Sequence, residues 1–180
     1  GGIIPTTSVG NSASFAIFAE KVIVEINTNT SIAFEGLHDI YIPTYRPTRQ
    51  PIPLTKVDER MGSTAINIDP AKIVGIVFND TLLDSPSTVT PPDDETQEIA
   101  NHLIAFFEKE VAEGRLPKNL GPLQAGIGSI ANAVLTGLKD SPFEDLVMYS
   151  EVLQDCTFEL IDAGKMKFAS GCSITLSQKY

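Results

Sequence analysis

The second half of the chain alternates short apolar segments with segments of helical periodicity, and this alternation constrains the fold more than any other feature. Strands are predicted at Leu120–Gln124 and Leu146–Tyr149, and a third begins at Met166. Between them, two apolar stripes recur at helical spacing: Ile130, Val134 and Leu138, then Leu153, Cys156 and Leu160. A β-α-β-α-β order predicts a parallel sheet with right-handed crossovers.

An amphipathic helix is predicted ahead of this alternation. Acidic residues at Asp93, Asp94 and Glu95 suit a helix start, where the helix dipole favours negative charge, and Gly114 suits the end. Apolar residues recur between them at helical spacing: Ile99, Leu103, Phe106, Phe107 and Val111. We expect this helix to cover a sheet.

The first half is irregular and rich in turns. A short helix is predicted over Ser14–Glu20 and a strand over Lys21–Asn27. Lys72–Phe78 is a second apolar strand, and a run that is apolar on both faces is typical of a sheet covered on both sides. Four prolines exclude a continuous helix in the loop before it: Pro43, Pro47, Pro51 and Pro53.

The two halves meet at a segment with the composition of a linker, Asp84–Pro92. We therefore expect residues 1–88 to be the end of one domain with its linker, and residues 89–180 to be the start of a second. The chain opens at Gly1 without an initiator Met, a basic n-region or an apolar h-region. We expect an internal fragment of a longer protein.

Charge and metal-ligand content narrow the classes of partner. The chain has 23 acidic and 13 basic residues, a net charge of −10, which disfavours non-specific binding to nucleic acid or anionic membranes. His38 and His102 stand alone, so no metal site is expected. Cys156 and Cys172 lack a metal-binding or disulfide-framework spacing, and we expect two buried reduced thiols.

Two segments fall where an open parallel sheet binds its ligands, beyond the carboxyl ends of the strands. The first is Gly126–Ala131, whose glycines and following helix offer backbone N–H groups to an anion or oxyanion. The second is Tyr149–Asp155, in which Glu151 is expected to end a strand. Neighbouring strands would place the carboxylate of Glu151 beside these N–H groups.

Spacing alone leaves three interpretations of this pair open. Gly126–Ala131 matches G-x-G-x-x-A, and Glu151 follows Ala131 by 20 residues, as in a dinucleotide-binding module. Alternatively, Glu151 is a nucleophile, because a carboxylate can attack an activated acyl group when backbone N–H groups stabilise the oxyanion. In the third interpretation, a non-catalytic fragment, the glycines only form a turn and Glu151 caps the next helix.

Three stretches carry a resemblance to a known family: Gly114–Leu120, Pro122–Val134 and Met148–Asp155. They resemble the acetyl-CoA hydrolase/transferase family, class I coenzyme A transferases of the succinyl-CoA:acetate type and the fungal mitochondrial acetyl-CoA hydrolase type. Weaker similarity at Asp58–Gly62 and Ile73–Phe78 extends it over most of the chain. The resemblance implies an α/β fold of CoA-transferase-like parallel sheets with helices on both faces, here as a fragment spanning two domains.

The resemblance also implies a chemistry. Glu151 is implied as the covalent nucleophile, which passes through an acyl anhydride to a glutamyl-CoA thioester. A small carboxylate of the acetate or succinate class then completes CoA transfer, or water completes hydrolysis. The backbone N–H of Ile127 is implied as an oxyanion donor. The residues implied to contact CoA are Gly126, Ile127, Gly128, Ser129 and Ile130.

The implied partners are an acyl-CoA and a small carboxylate, with CoA as substrate and no metal, nucleic acid or membrane. Acetate metabolism and a mitochondrial or cytoplasmic location are implied as well, and a homo-oligomer is left open. The family's second oxyanion donor comes from a later glycine-rich stretch, whereas Gly171 is the only glycine after Gly164. We therefore expect the fragment to carry the nucleophile without a complete site and to be inactive alone.

Overall fold

Two units make up the computed structural model, Gly1–Ser85 and Pro86–Tyr180. The structure describes residues 1–81, 86–88 and 91–180, so the predicted linker Asp84–Pro92 lies partly outside the described residues. The assignment of residues 1–88 and 89–180 to two CoA-transferase domains stays a prediction.

Among its described residues, the first unit contains one α-helix and two small sheets. Its elements are β1 (Gly2–Ile3), α1 (Ser12–Phe18), β2 (Val22–Asn27), β3 (Ile66–Asn67) and β4 (Ile73–Asn79), with single 3-10 turns at Ile32–Phe34 and Pro70–Lys72. Strand β1 pairs antiparallel with β3, and β2 pairs parallel with β4. The predicted helix and both predicted strands are confirmed, with ends shifted by one or two residues.

The expectation that the apolar strand β4 is covered on both sides is wrong for this unit. The side chains of Val74, Ile76 and Phe78 are exposed, and so is that of Ile23 on β2. The reason is the number of elements: among the described residues of the unit, two paired strands and a seven-residue helix provide too little surface to cover both faces.

A tight backbone contact holds the irregular part of the first unit together. The carboxylate of Asp39 accepts hydrogen bonds from the N–H groups of Met61 (2.7 Å) and Gly62 (2.6 Å), and Arg60 Nη1 donates to the carbonyl oxygen of His38 (2.7 Å). A Cβ atom at Gly62 would lie 1.9 Å from the carbonyl oxygen of Ile40. Only glycine fits this approach of two chain segments.

The second unit is a three-stranded parallel sheet with helices, as the alternation of the sequence predicts. Its elements are α2 (Asp94–Ala112), β5 (Pro122–Leu123), α3 (Ser129–Leu138), β6 (Leu146–Leu153), α4 (Asp155–Asp162) and β7 (Met166–Ile174). The strand order is β5-β6-β7, and both pairs are parallel. None of the helices in the described parts of the chain is long and apolar enough to cross a membrane.

Local signals account for the ends of helix α2. The side chain of Asp93 accepts a hydrogen bond from Thr96 N (2.8 Å), and Asp93 N donates to the Thr96 hydroxyl (2.9 Å), which is a reciprocal capping box. The other end stops at Gly114, whose φ of 73° is readily adopted only by glycine. The acids and the glycine that predict this helix therefore form its caps.

The core of the second unit lies between the sheet and its helices. Its buried apolar residues are Leu135, Leu138, Phe143, Leu146, Met148, Leu153, Cys156, Leu160 and Met166. The predicted stripe of Ile130, Val134 and Leu138 is confirmed as one face of α3. The second predicted stripe is only partly correct, because Cys156 and Leu160 lie on α4 whereas Leu153 ends strand β6. Helix α3 buries Asn132, Ala133, Leu135 and Leu138, while Ile130 remains 48% exposed.

Candidate active site at the glycine segment and Glu151

The parallel pairing of β5 with β6 brings the two predicted segments together. Leu123 of β5 is in register with Met148 of β6, so the residues that follow each of them lie at the same edge of the sheet. The hydroxyl of Ser150 donates to the carbonyl oxygen of Ala125 (2.9 Å) and accepts from Ala125 N (3.2 Å). Residues 126–131, the glycine segment, therefore begin directly beside Glu151.

Glu151 lies inside β6, two residues before its end at Leu153, and not at the end of the strand as predicted. Its side chain is exposed, and its carboxylate has no hydrogen bond or ion pair within the described part of the chain. Gln154 is the N-cap residue of helix α4, so Glu151 does not cap that helix. That part of the third interpretation is wrong, and the carboxylate is free to react.

The glycine segment presents backbone donors. The N–H groups of Ile127 and Gly128 make no hydrogen bond to any described residue, and Ile127 is 75% exposed. Gly128 is the N-cap residue of α3, with φ of 150° and its carbonyl oxygen accepting from Asn132 N (3.1 Å). The first-turn N–H groups of the helix add to these donors, because they have no intrahelical partners.

An apolar groove of about 580 Å³ adjoins the glycine segment. Side chains from α2, β5 and α3 line it: Leu103, Phe107, Leu123, Ile130, Val134 and Leu138. The predicted α3 stripe of Ile130, Val134 and Leu138 thus forms one wall of the groove. The site therefore joins polar backbone donors to an apolar wall.

The cysteines differ from the expectation of two buried thiols. Cys156 is buried and Cys172 is exposed, and both are free. Burial raises the pKa of the Cys156 thiol to about 11, so this thiol is a poor nucleophile at neutral pH. Among residues 1–81, 86–88 and 91–180, no group of three or more His, Cys, Asp or Glu side chains could hold a metal ion.

Ser150 is the residue of this arrangement that the sequence patterns do not single out. It lies on β6 between the buried residues Met148 and Val152, on the strand face opposite to Glu151. A hydroxyl on a largely buried face needs a hydrogen-bond partner, and that requirement was the available signal. The partner itself, Ala125, follows only from the pairing of β5 with β6.

Solved structures share this fold over nearly the whole chain. RipA from Yersinia pestis superposes with a TM-score of 0.55, covering 96% of this chain and 36% of RipA, at 19% sequence identity. A 4-hydroxybutyrate CoA-transferase from Porphyromonas gingivalis superposes with a TM-score of 0.54, covering 98% of this chain and 36% of that protein, at 17% identity. The fold is that of a CoA-transferase-like α/β protein.

Sequence similarity then indicates the family. Residues 1–78 match the acetyl-CoA hydrolase/transferase N-terminal domain. Acetyl-CoA hydrolases from Kluyveromyces lactis and Schizosaccharomyces pombe are 48% and 49% identical to this chain, over 99% and 98% of its length. The chain is thus similar over nearly its whole length to members of the acetyl-CoA hydrolase/transferase family. It spans about a third of the length of these curated relatives, 34% in both cases.

Proposed function

We propose that this chain supplies the nucleophile of an enzyme that hydrolyses an acyl-CoA or transfers its CoA to a small carboxylate. The observation that carries the proposal is the link between Ser150 and Ala125, which joins the strand of Glu151 to the glycine segment. The Glu151 carboxylate and the N–H groups of Ile127 and Gly128 have no hydrogen-bond partner among the described residues. The proposal is supported by relatives named acetyl-CoA hydrolase and by a neighbour in structure named 4-hydroxybutyrate CoA-transferase.

The proposed reaction begins at the Glu151 carboxylate. A carboxylate oxygen bonds to the thioester carbonyl carbon of the acyl-CoA, the C–S bond breaks, and CoA leaves as its thiolate. The product on the protein is an acyl-glutamyl anhydride. The thiolate then attacks the glutamyl carbonyl carbon and expels the acyl group as a carboxylate, which leaves a glutamyl-CoA thioester.

The thioester has two fates. A carboxylate acceptor attacks the Glu151 carbonyl carbon, and the two steps run in reverse to give a new acyl-CoA. Water in the same position gives free CoA and restores the Glu151 carboxylate. Acetate and succinate are the acceptor class we propose, and access of water or carboxylate to the thioester decides between hydrolysis and transfer.

The backbone N–H of Ile127 is the proposed donor to the oxyanion that forms at each attack. Backbone donors suit this role because they are held in place before the reaction. They are also uncharged, so the phosphates of CoA do not bind to them as they would to a cationic side chain. Residues Gly126–Ile130 are the proposed contact for the thioester end of CoA. This arrangement also suits an acidic chain, because the thioester needs aimed N–H groups more than net positive charge.

Mass spectrometry tests the proposal directly. The protein is purified at full length and incubated with acetyl-CoA, and the peptide containing Glu151 is examined for the mass of a CoA adduct. We expect the adduct in the native protein and none in Glu151→Gln. The matched control is Glu144→Gln, since Glu144 is 73% exposed just before the opposite end of β6 and its carboxylate pairs with Lys165.

The same experiment separates the alternatives. Absence of the adduct from the native protein, with binding of NAD that Glu151→Ala weakens, would replace the proposal by the dinucleotide-binding interpretation. Absence of both adduct and ligand binding would favour a non-catalytic role. Loss of the adduct from Glu144→Gln as well would show that the chemistry does not depend on Glu151 in particular.

A further inference from the structure

We propose that Ser150 is a positioning residue, which sets the distance between the Ile127 N–H and the Glu151 carboxylate. The inference rests on the proposed function, in which those two groups act on the same carbonyl. The observation that carries it is the double hydrogen bond of the Ser150 hydroxyl with Ala125, as donor to its carbonyl oxygen (2.9 Å) and as acceptor from its N–H (3.2 Å).

The position of Ser150 in the chain makes this link effective. Ser150 precedes Glu151 directly, and Ala125 lies two residues before Ile127. A strand alternates its side chains, so Ser150 faces away from Glu151 and reaches the neighbouring segment without blocking the carboxylate. One hydroxyl therefore joins the segment that carries the nucleophile to the segment that carries the donor.

The glycine segment has little else to hold its first residues. A Cβ atom built at Gly126 or at Gly128 would meet nothing within 4 Å, so no close packing restrains the backbone there. The segment is fixed at its far end by the bond from Asn132 N to the Gly128 carbonyl oxygen. At its near end, the link to Ser150 is the fixed point.

The strand on the other side of this link, β6, packs closely against β7. Ser150 is in register with Gly171 of β7, where a Cβ atom would lie 3.4 Å from the Ser150 carbonyl oxygen and 3.0 Å from Leu153 Cγ. Strand β6 is thus closely packed where it carries Ser150. Loss of the hydroxyl would leave β6 in place and release the glycine segment, which is the behaviour expected of a positioning residue.

Two substitutions of equal size isolate the hydroxyl. Ser150→Thr keeps it, whereas Ser150→Val replaces it by a methyl group in a side chain of the same shape. The matched control is Ser170→Ala, because Ser170 lies on β7 in register with Tyr149 and its hydroxyl has no hydrogen bond to a described residue. All variants are compared in the full-length protein.

The measurement is the rate of CoA-adduct formation on Glu151 by rapid quench and mass spectrometry, as a function of acetyl-CoA concentration. We expect Ser150→Val to lower the rate at saturation by about 10- to 100-fold, the range for a misplaced reacting group or donor. We expect the half-saturating acetyl-CoA concentration to stay within about twofold, because the donor acts mainly on the transition state. Ser150→Thr and Ser170→Ala should stay near the native rate.

Amide hydrogen exchange supplies a second readout that does not require activity. Faster exchange of the Ala125 N–H in Ser150→Val, with unchanged exchange in β6 and native protection in Ser150→Thr, would show that the hydroxyl holds the start of the glycine segment. If the native protein forms the adduct and Ser150→Val matches its rate, the inference is overturned and the proposed function stands. If the native protein forms no adduct, the proposed function fails and the inference fails with it.

Discussion

Cys172 lies beside Glu151 on the neighbouring strand. The residues on either side, Gly171 and Ser173, are in register with Ser150 and Val152, so the cysteine takes the place opposite the glutamate. Adjacent strands are about 4.8 Å apart, and residues opposite one another project from the same face. The exposed thiol of Cys172 is therefore a neighbour of the proposed nucleophile.

This neighbourhood predicts that a thiol reagent blocks the site. N-ethylmaleimide at pH 7.5 should modify Cys172 and abolish CoA-adduct formation on Glu151, because the added group occupies the space in front of the carboxylate. Acetyl-CoA should slow the modification. Peptide mass spectrometry against time checks both statements.

Cys156 serves as the internal reference for that labelling experiment. Burial raises its pKa to about 11, so at neutral pH only about one thiol in a thousand or fewer is the reactive thiolate, and we expect no label there. A Cys172→Ser protein should form the adduct and be insensitive to the reagent. Full inactivation of Cys172→Ser by N-ethylmaleimide would contradict the assignment.

Local patterns were enough to predict most elements of the second unit. The capping residues of α2 and the apolar periodicity of α4 act within a few residues of each other, so the sequence displays them directly. The end of β6 is harder to predict from the sequence. Val152 and Leu153 remain in the strand because they pair with Ser173 and Ile174 of β7, and that pairing is a long-range property.

The candidate site can be predicted from the sequence in outline. Parallel strands bring their carboxyl ends together, so the glycines and Glu151 could be expected to meet. The link through Ser150 could not, because it requires the register of β5 against β6. Likewise, apolar spacing cannot distinguish a groove from a core, so it does not predict that Ile130 and Val134 line a groove.

The cap of α2 predicts an acid dependence of stability. Hydrogen bonds from the backbone and the side chain of Thr96 hold the pKa of Asp93 below its ordinary value. A carboxylate whose pKa is lowered by folding stabilises the protein above its unfolded pKa, about 3.9, and this stabilisation is lost as the pH falls through the lower folded value. The melting temperature should therefore decrease as the pH is lowered through this range.

The check is the difference in melting temperature between the native protein and Asp93→Asn, measured from pH 6 downward. Asparagine can still cap the helix but has no charge to lose, so the native advantage should shrink as the pH falls below about 4. Thr96→Val keeps the backbone N–H and removes the hydroxyl. In this variant, the melting temperature should decrease over a narrower pH range. A constant difference between native protein and Asp93→Asn across this range would contradict the prediction.

The two glycines of the segment should respond differently to the same substitution. Gly128 has a φ of 150°, in a region that L side chains rarely adopt, whereas Gly126 has no positive φ. A Cβ atom at either position meets nothing within 4 Å, so sterics against neighbours do not distinguish them.

We expect Gly128→Ala to lower the free energy of unfolding by about 1–3 kcal/mol through backbone strain. Gly126→Ala should leave it unchanged or raise it by up to about 1 kcal/mol, because alanine restricts the unfolded chain. Denaturant unfolding of both variants measures the difference, and equal losses at the two positions would show that the glycine segment has a different backbone conformation.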